Sequence, residues 1–518
     1  MLVFAWPVFP FTFLIFFAWI PLLFLAEKET KTVRFFWFAY NTLFIWNVGT
    51  TWWIWNSTAP GAMGAVIGNS FLLSIPLWAF HRFKQKFGEN VGHITFVVFW
   101  LTFEYIHLNW QLSWPWLTLG NVFATHTAWV QWYEYTGTSG GSLWVLLSNV
   151  LLFILIKRWK TFTSSKRLQF TAVAFIILLL PLGLSYIVNP QSQAKVQTVQ
   201  GANSPNVVIV QPNIDPYSKY EETSTEGQIL KLITLSEKQI DGNTKLVLWP
   251  ETALSAAVLQ DKVQESLTYK PVFDFVNRHP GLTLQTGIET FKYYGLTKAT
   301  NTARKNDLDG TYYDVFNSAT TITAHQPLQF YNKSKLVPGV ETLPDFLLWL
   351  GVIFEKFGGT AGGYGRDKEA VAFKVPGNPY VTAPVICYES IYGEYTTNYI
   401  HKGANLLTIM TNDGWWANTA GHKQHLHYAK LRAIETRKWV ARSANTGVSA
   451  VIDNNGNLLE TRAWDTSDVI KYAIPPVSGE TFFVRNGALI FVLASFFSVA
   501  LLTYNFVMLL RKRFVRKT

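Results

Sequence analysis

Seven long apolar segments constrain this 518-residue chain more than any other feature of its sequence. A run of about 17 to 25 mostly apolar residues is long enough to cross the hydrocarbon core of a bilayer as a helix. The segments are 2 to 26, 35 to 56, 61 to 81, 93 to 113, 141 to 156, 169 to 188 and 487 to 510. We therefore predict an α-helical transmembrane bundle of about seven spans, with a large region between the sixth and the seventh.

The composition agrees with a membrane protein and excludes several other classes. Hydrophobic residues make up 49% of the chain and charged residues only 15%, which is far from the usage of soluble proteins. The aromatic content of 16% is too high for a disordered chain. The single cysteine, Cys387, excludes a scaffold held by disulfides within the chain.

Lysine and arginine occur in alternate loops between the apolar segments. They follow the first, third, fifth and seventh segments, whereas the loops after the second and fourth segments contain none. Short loops rich in these residues face the cytoplasm. The region 189 to 486 is therefore predicted to lie outside the cytoplasm, and the basic tail after residue 510 inside it. The same alternation places the N-terminus outside.

The net charge of +11 comes entirely from the two apolar regions. Residues 1 to 188 carry 11 basic and 5 acidic side chains, residues 487 to 518 carry 5 and none, and the region between them carries 28 of each. Positive charge beside apolar segments is typical of membrane flanks and gives no support to nucleic-acid binding.

The loop after the fourth segment is dense in aromatic side chains and includes Trp114 and Trp116. Tryptophan and tyrosine favour the headgroup layer of a bilayer, so the loop is interpreted either as an aromatic belt or as an entrance for a lipid substrate. Glu104 lies inside the fourth segment. A carboxylate at membrane depth is either functional or part of a buried polar pair.

The region 189 to 486 contains short apolar runs that are typical of buried strands. They are found at 207 to 211, 246 to 249, 282 to 287, 318 to 323, 381 to 387, 405 to 410 and 447 to 453. Helical patterns alternate with several of these runs, at 228 to 239, 272 to 277 and 425 to 439. The alternation predicts an α/β domain, and the polar segment 189 to 204 is interpreted as its tether.

Three short motifs in this domain are predicted to lie at strand exits. They are Trp249–Thr252 (WPET), Tyr331–Pro338 (YNKSKLVP) with Glu341 behind it, and Val385–Ser390 (VICYES). Open α/β folds build their sites at strand exits. We therefore expect Glu251, Lys333 and Cys387 to lie close together.

A carboxylate, an ammonium group and a thiol that lie close together can act as one catalytic site. The ammonium of Lys333 can lower the thiol pKa of Cys387 and hold a developing oxyanion, while the carboxylate of Glu251 takes and returns a proton. This combination suits acyl transfer through a thioester. Taken singly, each residue also has an ordinary interpretation, as a turn carboxylate, a solvated lysine or a buried core thiol.

In this order, the three motifs resemble those of the carbon-nitrogen hydrolase (nitrilase) superfamily. With apolar segments on both sides, the chain is similar to a membrane-anchored branch of that superfamily, the apolipoprotein N-acyltransferases. Further likeness lies in the stretches 411 to 416 (TNDGWW), 442 to 450 (RSANTGVSA) and 114 to 120 (WPWLTLG). The resemblance implies a membrane domain at 1 to 188, an extracytoplasmic nitrilase-like αββα sandwich at 189 to 486, and a C-terminal transmembrane helix with a basic tail at 487 to 518.

The resemblance also assigns roles to individual residues. Glu251 matches the general base, Lys333 the catalytic lysine and Cys387 the nucleophile. Glu341 and Glu389 match the family's two supporting carboxylates, and in the mechanism expected here the backbone amide of Tyr388 assists Lys333 in stabilising the oxyanion. The residues assigned to substrate binding are Asn412, Trp415, Trp114 and Trp116. The chain departs from the family at Gly339 and Val340, where Phe-Gly is usual, and in having seven predicted spans rather than eight.

The implied activity is transfer of a fatty acyl chain from the sn-1 position of a phospholipid, such as phosphatidylethanolamine, to the α-amino group of the N-terminal diacylglyceryl-cysteine of apolipoproteins. The expected mechanism is a ping-pong reaction through a cysteine thioester. The implied location is the bacterial inner membrane, with the catalytic domain periplasmic and the tail cytoplasmic, and a monomer is expected. The sequence shows no metal-ligand cluster, phosphate loop or dinucleotide motif, so we expect neither metal nor cofactor.

Two other functions stay open at this point. A membrane-tethered nitrilase-like amidase would need the same three reacting groups but no lipid entrance. A catalytically inactive lipoprotein-binding scaffold would need the fold alone.

Overall fold

The computed structural model describes residues 1–189, 204–217, 224–350 and 363–515. The chain divides into two compact units, one comprising 1–52, 63–187 and 486–518, and the other 53–62 and 188–485. The predicted tether at 189 to 204 lies outside the described residues except for its two end residues.

The first unit is helical, and the second unit combines helices with strands. In chain order the α-helices are α1 (Leu2–Ala5), α2 (Ile20–Lys28), α3 (Thr32–Thr51), α4 (Ala59–Phe87), α5 (Glu89–Leu108), α6 (Tyr133–Thr136), α7 (Thr138–Arg158), α8 (Ser164–Val188), α9 (Thr225–Glu237), α10 (Lys270–Asn277), α11 (Gly393–His401), α12 (Ala420–Thr436), α13 (Phe482–Asn486) and α14 (Leu489–Val515).

Among the described residues, five helical stretches are long and apolar enough to cross a membrane: α4, α5, α7, α8 and the stretch 482–512. They coincide with the third to seventh predicted segments. The prediction of one helix over 2 to 26 is wrong, because α1 and α2 are separated by a 3₁₀ helix at Thr12–Phe16. Pro7 and Pro10 explain the break, since proline removes a backbone donor and clashes with the preceding turn.

Polar contacts join several helices of the first unit. The hydroxyls of Thr102 in α5 and Ser498 in α14 lie 2.8 Å apart. Lys157 in α7 pairs with Glu27 of α2 at 2.5 Å and with Glu89 of α5 at 2.6 Å. The basic residue that follows the fifth apolar segment therefore also ties the ends of three helices together.

The strands of the second unit form two mixed sheets. In chain order they are β1 (Asn206–Gln211), β2 (Thr244–Leu248), β3 (Leu254–Leu259), β4 (Thr283–Gly295), β5 (Arg304–Lys305), β6 (Tyr312–Thr323), β7 (Gln329–Asn332), β8 (Phe373–Lys374), β9 (Val381–Ile386), β10 (Leu406–Thr411), β11 (Val440–Ala444), β12 (Ala450–Ile452), β13 (Leu458–Thr461) and β14 (Asp468–Ala473). The first sheet has the order β14-β1-β2-β4-β6-β5, with β3 on β4 and β7 on β6. The second has the order β13-β12-β11-β10-β9-β8. Each predicted strand run coincides with one of these strands.

Alternating side chains explain why the two sheets stack between helices. Val207 and Ile209 of β1 belong to a buried cluster shared with the second sheet, and Val208 and Val210 belong to a cluster shared with α9 and α10. Successive side chains of a strand point to opposite faces, so a strand buried on both faces is apolar throughout. Helices α11 and α12 contribute to the first of these clusters from the other side. The predicted four-layer αββα arrangement is confirmed.

Candidate active site

Three strand ends supply the predicted reacting groups. Glu251 follows β2, Lys333 comes directly after β7, and Cys387 comes directly after β9. Gly287 in β4 allows the backbone at Glu251 to pack closely against β4, because a Cβ atom at position 287 would lie 2.7 Å from the Glu251 Cα atom. A larger residue at position 287 would push that loop out of place.

A buried lysine joins two carboxylates. The Nζ atom of Lys333 lies 3.2 Å from Glu251 Oε1 and 2.8 Å from Glu341 Oε1, and its side chain is 1% exposed. Burial alone would lower the pKa of Lys333, but the charges of Glu251 and Glu341 raise it well above its ordinary value. The lysine is therefore an ammonium ion at neutral pH.

The carboxylate of Glu251 is held at both oxygens. Its Oε1 atom also accepts a hydrogen bond of 2.8 Å from the side-chain amide of Asn317, and its Oε2 atom accepts one of 3.0 Å from the backbone N–H of Asn412. Asn317 lies 3.3 Å from Glu341 Oε1 as well. These contacts fix the direction in which the carboxylate can exchange a proton.

The thiol of Cys387 is buried and close to these charges. Burial raises its pKa, the charge of Glu251 raises it further, and the charge of Lys333 opposes the shift without reversing it. The expectation that the ammonium lowers the thiol pKa is confirmed for the contribution of Lys333, but burial and the charge of Glu251 outweigh it, and a sequence does not show the depth of burial. The resting sulfur is a neutral thiol and needs a base to become a nucleophile.

Backbone strain marks the same place. Cys387 has a φ of 48° and Thr252, next to Glu251, has a φ of 46°. Non-glycine residues in this left-handed region cost free energy and persist where surrounding contacts hold them. Cys387 is itself a predicted reacting group and Thr252 is next to another, and both residues come shortly after the end of a strand.

Glu389 organises the loops on either side of the thiol. Its buried carboxylate accepts hydrogen bonds from the hydroxyls of Tyr331 and Tyr399 and from the backbone N–H groups of Ser334, Lys335 and Ile386. The loop that carries Lys333 and the strand that ends at Cys387 are thus tied to one side chain.

Replacing Glu389 with glutamine should destabilise the protein. Whichever oxygen becomes an NH₂ group, at least one backbone N–H would lose its acceptor, and such a loss costs about 1–3 kcal/mol. The thermal unfolding midpoint of the full-length variant in detergent measures the effect. Glu369→Gln is the matched control, because this side chain is 78% exposed and its pair with Lys402 contributes little. Equal midpoints for the two variants would contradict the organising role of Glu389.

The loop after β10 presents one aromatic side chain to solvent. Trp415 is 38% exposed and packs edge to face against Tyr217 at 5.1 Å. The neighbouring Trp416 ring packs against Trp53 at 4.9 Å, and the Trp416 carbonyl accepts a hydrogen bond from the side chain of Asn56 at 3.1 Å. The short segment 53–62 therefore holds the loop that carries Trp415.

The two other predicted substrate contacts lie in the helical unit. Trp114 stacks on Trp116 at 6.0 Å, and Trp116 is 1% exposed. Trp114 also lines a cavity of about 10 Å³ with Glu104 and His107. Glu104 accepts hydrogen bonds from the Trp100 side chain at 2.9 Å and from the Leu119 N–H at 2.8 Å. The interpretation of this loop as an aromatic belt is wrong for Trp116, because the loop folds inward around a buried carboxylate.

Several residues near the site were missed from the sequence. Asn317 is one of many buried polar residues in β6, and no local pattern distinguishes it. Trp53 lies far from the site along the chain, at the end of an apolar segment. Asp413 lies in the stretch 411 to 416, which carries part of the family resemblance, and His425 lies in a predicted helix, but no role was predicted for either residue. Among the described residues, no group of three histidine, cysteine, aspartate or glutamate side chains is placed to hold a metal ion.

Known proteins match both parts of the chain. Residues 1–151 match the apolipoprotein N-acyltransferase N-terminal domain, and residues 206–481 match the carbon-nitrogen hydrolase family. The apolipoprotein N-acyltransferase of Chlorobaculum tepidum is 29% identical over 496 residues, which cover 94% of this chain and 90% of that protein. The enzyme of the same name from Pseudomonas putida is 25% identical over 447 residues, covering 82% and 78%. The family match over residues 206–481 covers more than half of this chain, and the chain therefore belongs to the carbon-nitrogen hydrolase family.

Proposed function

We propose that this protein is a membrane-bound acyltransferase that moves a fatty acyl chain from the sn-1 position of a phospholipid to the α-amino group of the N-terminal diacylglyceryl-cysteine of apolipoproteins. The observation that carries the proposal is the buried cluster of Glu251, Lys333 and Cys387 in a carbon-nitrogen hydrolase domain. The apolar helices and the match of residues 1–151 to the apolipoprotein N-acyltransferase N-terminal domain support a lipid substrate.

The first half-reaction forms an acyl-enzyme. Glu251 accepts the thiol proton of Cys387 as the sulfur attacks the ester carbonyl carbon of the phospholipid. The Lys333 ammonium and the backbone N–H of Tyr388 stabilise the tetrahedral oxyanion. The carbon–oxygen bond of the ester then breaks, and Glu251 returns the proton to the departing oxygen. Lysophospholipid is released, and the acyl chain remains on Cys387 as a thioester.

The second half-reaction uses the same groups. The free α-amine of the diacylglyceryl-cysteine attacks the thioester carbonyl, and Glu251 accepts a proton from the attacking nitrogen. The carbon–sulfur bond breaks, the proton passes to the sulfur, and the product is an amide. Glu341 and Glu389 position the reacting groups, and Asn412, Trp415 and Trp114 contact the substrates. Trp116 is buried and supports the Trp114 ring by stacking on it.

A membrane location favours transfer over hydrolysis. Both substrates are lipid-anchored, and each buried CH₂ group of an acyl chain contributes about 0.8 kcal/mol to that anchoring. Donor and acceptor are thus concentrated at the bilayer surface. We propose the bacterial inner membrane as the location, with the catalytic domain periplasmic, the basic tail cytoplasmic, phosphatidylethanolamine as a donor and the monomer as the working form.

A transfer assay tests this function. The purified protein is placed in nanodiscs with phosphatidylethanolamine labelled in its sn-1 chain and with a diacylglyceryl-cysteine peptide. We expect labelled N-acyl peptide and unlabelled lysophospholipid, whereas a donor labelled only in its sn-2 chain should give unlabelled peptide. Turnover of small soluble amides without any peptide acylation would instead indicate a membrane-tethered amidase.

The substitution Glu251→Gln should separate thiol ionisation from catalysis. Because the Glu251 charge raises the thiol pKa, its removal lowers that pKa, and the thiolate fraction at a given pH rises. The alkylation of Cys387 by iodoacetamide should therefore begin at a lower pH than in the unsubstituted protein. Acyl transfer should nevertheless fall by about 10²–10⁴-fold, since the proton acceptor is lost. Unchanged transfer would exclude Glu251 as the base, and Glu369→Gln serves as the control.

A further inference from the structure

A buried histidine contacts the backbone of the nucleophile. The Nε2 atom of His425, in α12, lies 3.1 Å from the Cys387 carbonyl oxygen and 2.8 Å from the Ser390 hydroxyl. That hydroxyl donates to the same Cys387 carbonyl at 2.7 Å. The single hydrogen of the Ser390 hydroxyl is used in this bond, so both the hydroxyl and the Cys387 carbonyl can only accept a hydrogen bond from Nε2. The Nε2 atom must therefore carry a hydrogen.

The orientation of the His425 ring is fixed by two further buried side chains. Its Nδ1 atom lies 2.9 Å from Asp413 Oδ1, and the other Asp413 oxygen lies 2.6 Å from the guanidinium of Arg442. All three side chains are inaccessible to solvent. Burial alone would raise the pKa of Asp413, but the charges of Arg442 and His425 hold it below its ordinary range.

The geometry of the peptide bond connects this network to the reaction. The Cys387 carbonyl and the Tyr388 N–H belong to one peptide unit, and in a planar trans peptide the two point in opposite directions. Holding the carbonyl oxygen therefore also sets the direction of the Tyr388 N–H. The left-handed backbone of Cys387 needs such support, since its φ of 48° is costly without it.

We propose that His425 is a positioning residue, which aims the Tyr388 N–H at the oxyanion by holding the Cys387 carbonyl. This inference rests on the acyl transfer proposed above, in which that N–H stabilises the tetrahedral intermediate. Asp413 and Arg442 act one step further away, because they orient the imidazole ring.

Two reactions of the same sulfur test the proposal in the full-length protein in nanodiscs. Acylation by labelled phospholipid passes through an oxyanion, whereas alkylation by iodoacetamide forms none. For His425→Ala we expect the single-turnover acylation rate to fall about 100-fold, as it does when one oxyanion donor is lost. The alkylation rate at pH 9 should stay within about threefold, because the thiol itself is untouched.

Two other variants serve as rescue and control. His425→Gln should recover most of the acylation rate, since the glutamine amide can donate from the position of Nε2. His401→Ala, at the exposed end of α11, should leave both rates unchanged. If His425→Ala does not fold, Ser390→Ala takes its place, because it removes one of the two hydrogen bonds to the same carbonyl and should slow acylation about tenfold.

Specific outcomes would overturn the inference. Equal losses in acylation and alkylation would mean that His425 supports the fold in general rather than the oxyanion donor. If Cys387 of the unsubstituted protein is acylated and Cys387 of the His425→Ala variant is acylated just as fast, the positioning role is refuted and the proposed function is not. Unsubstituted protein that never acquires an acyl group would refute the proposed function itself.

Discussion

Replacing Cys387 with alanine should abolish acyl transfer. The loss of a covalent nucleophile from a group of residues that act together lowers turnover by a factor on the order of 10⁶. No other thiol can take its place, because Cys387 is the only cysteine of the chain. The measurement is N-acylation of a diacylglyceryl-cysteine peptide by the full-length variant in nanodiscs.

The fold of the Cys387→Ala variant should be intact. Alanine removes one buried sulfur and leaves the contacts of Glu251, Lys333 and Glu389 in place, so the thermal unfolding midpoint should change little. Cys387→Ser is a second control, because it keeps a nucleophile of similar shape with a much higher pKa, and its transfer rate should be very low. A Cys387→Ala chain that still acylates the peptide, or that restores a cell lacking this activity, would support an inactive scaffold instead.

Replacing Lys333 with methionine should impair both catalysis and stability. The ammonium is proposed to stabilise the oxyanion, and loss of one such donor lowers the rate about 10²–10³-fold. The same substitution leaves the carboxylates of Glu251 and Glu341 buried without their shared cation, which costs about 3–5 kcal/mol when a buried ion pair is broken. Transfer assays and chemical unfolding of the full-length protein in detergent measure the two effects.

A second substitution separates these two effects. Adding Glu341→Gln to Lys333→Met removes one of the unpaired charges, so part of the lost stability should return. Transfer should remain as low as in the single variant, because the oxyanion donor is still missing. Lys402→Met is the matched control, since that lysine is half-exposed and pairs with an exposed glutamate. Recovery of transfer in the double variant would contradict a direct role for the ammonium.

Local patterns were sufficient to predict where the reacting groups lie along the fold. Glu251 and Cys387 each follow an apolar run that forms a strand. Lys333 follows β7, whose sequence Gln-Phe-Tyr-Asn was not predicted as a strand, so that its motif alone indicated its place. The alternation of apolar runs with helical patterns was sufficient to predict an α/β domain, whereas its four-layer arrangement was implied by the family resemblance. The basic loops likewise mark the ends of helices.

Other features depend on contacts between distant parts of the chain. Asn317 bridges two carboxylates only because β6 passes beside them, and Trp53 supports the Trp415 loop from a segment more than 350 residues earlier. The net direction of the Cys387 pKa shift depends on burial, which the motif Ile-Cys-Tyr-Glu does not reveal. The first apolar segment was mistaken for one helix because its apolar length outweighed two early prolines in the prediction.

The thioester on Cys387 is the intermediate on which the proposed transfer depends, and mass spectrometry can detect it. The protein is incubated in nanodiscs with phospholipid labelled in the sn-1 acyl chain, without any acceptor peptide, and is then digested. We expect the peptide containing Cys387 to gain the mass of that chain, to lose it in hydroxylamine, and to lose it to a diacylglyceryl-cysteine peptide added later. Peptide acylation that proceeds while Cys387 never carries the label would contradict the two-step mechanism.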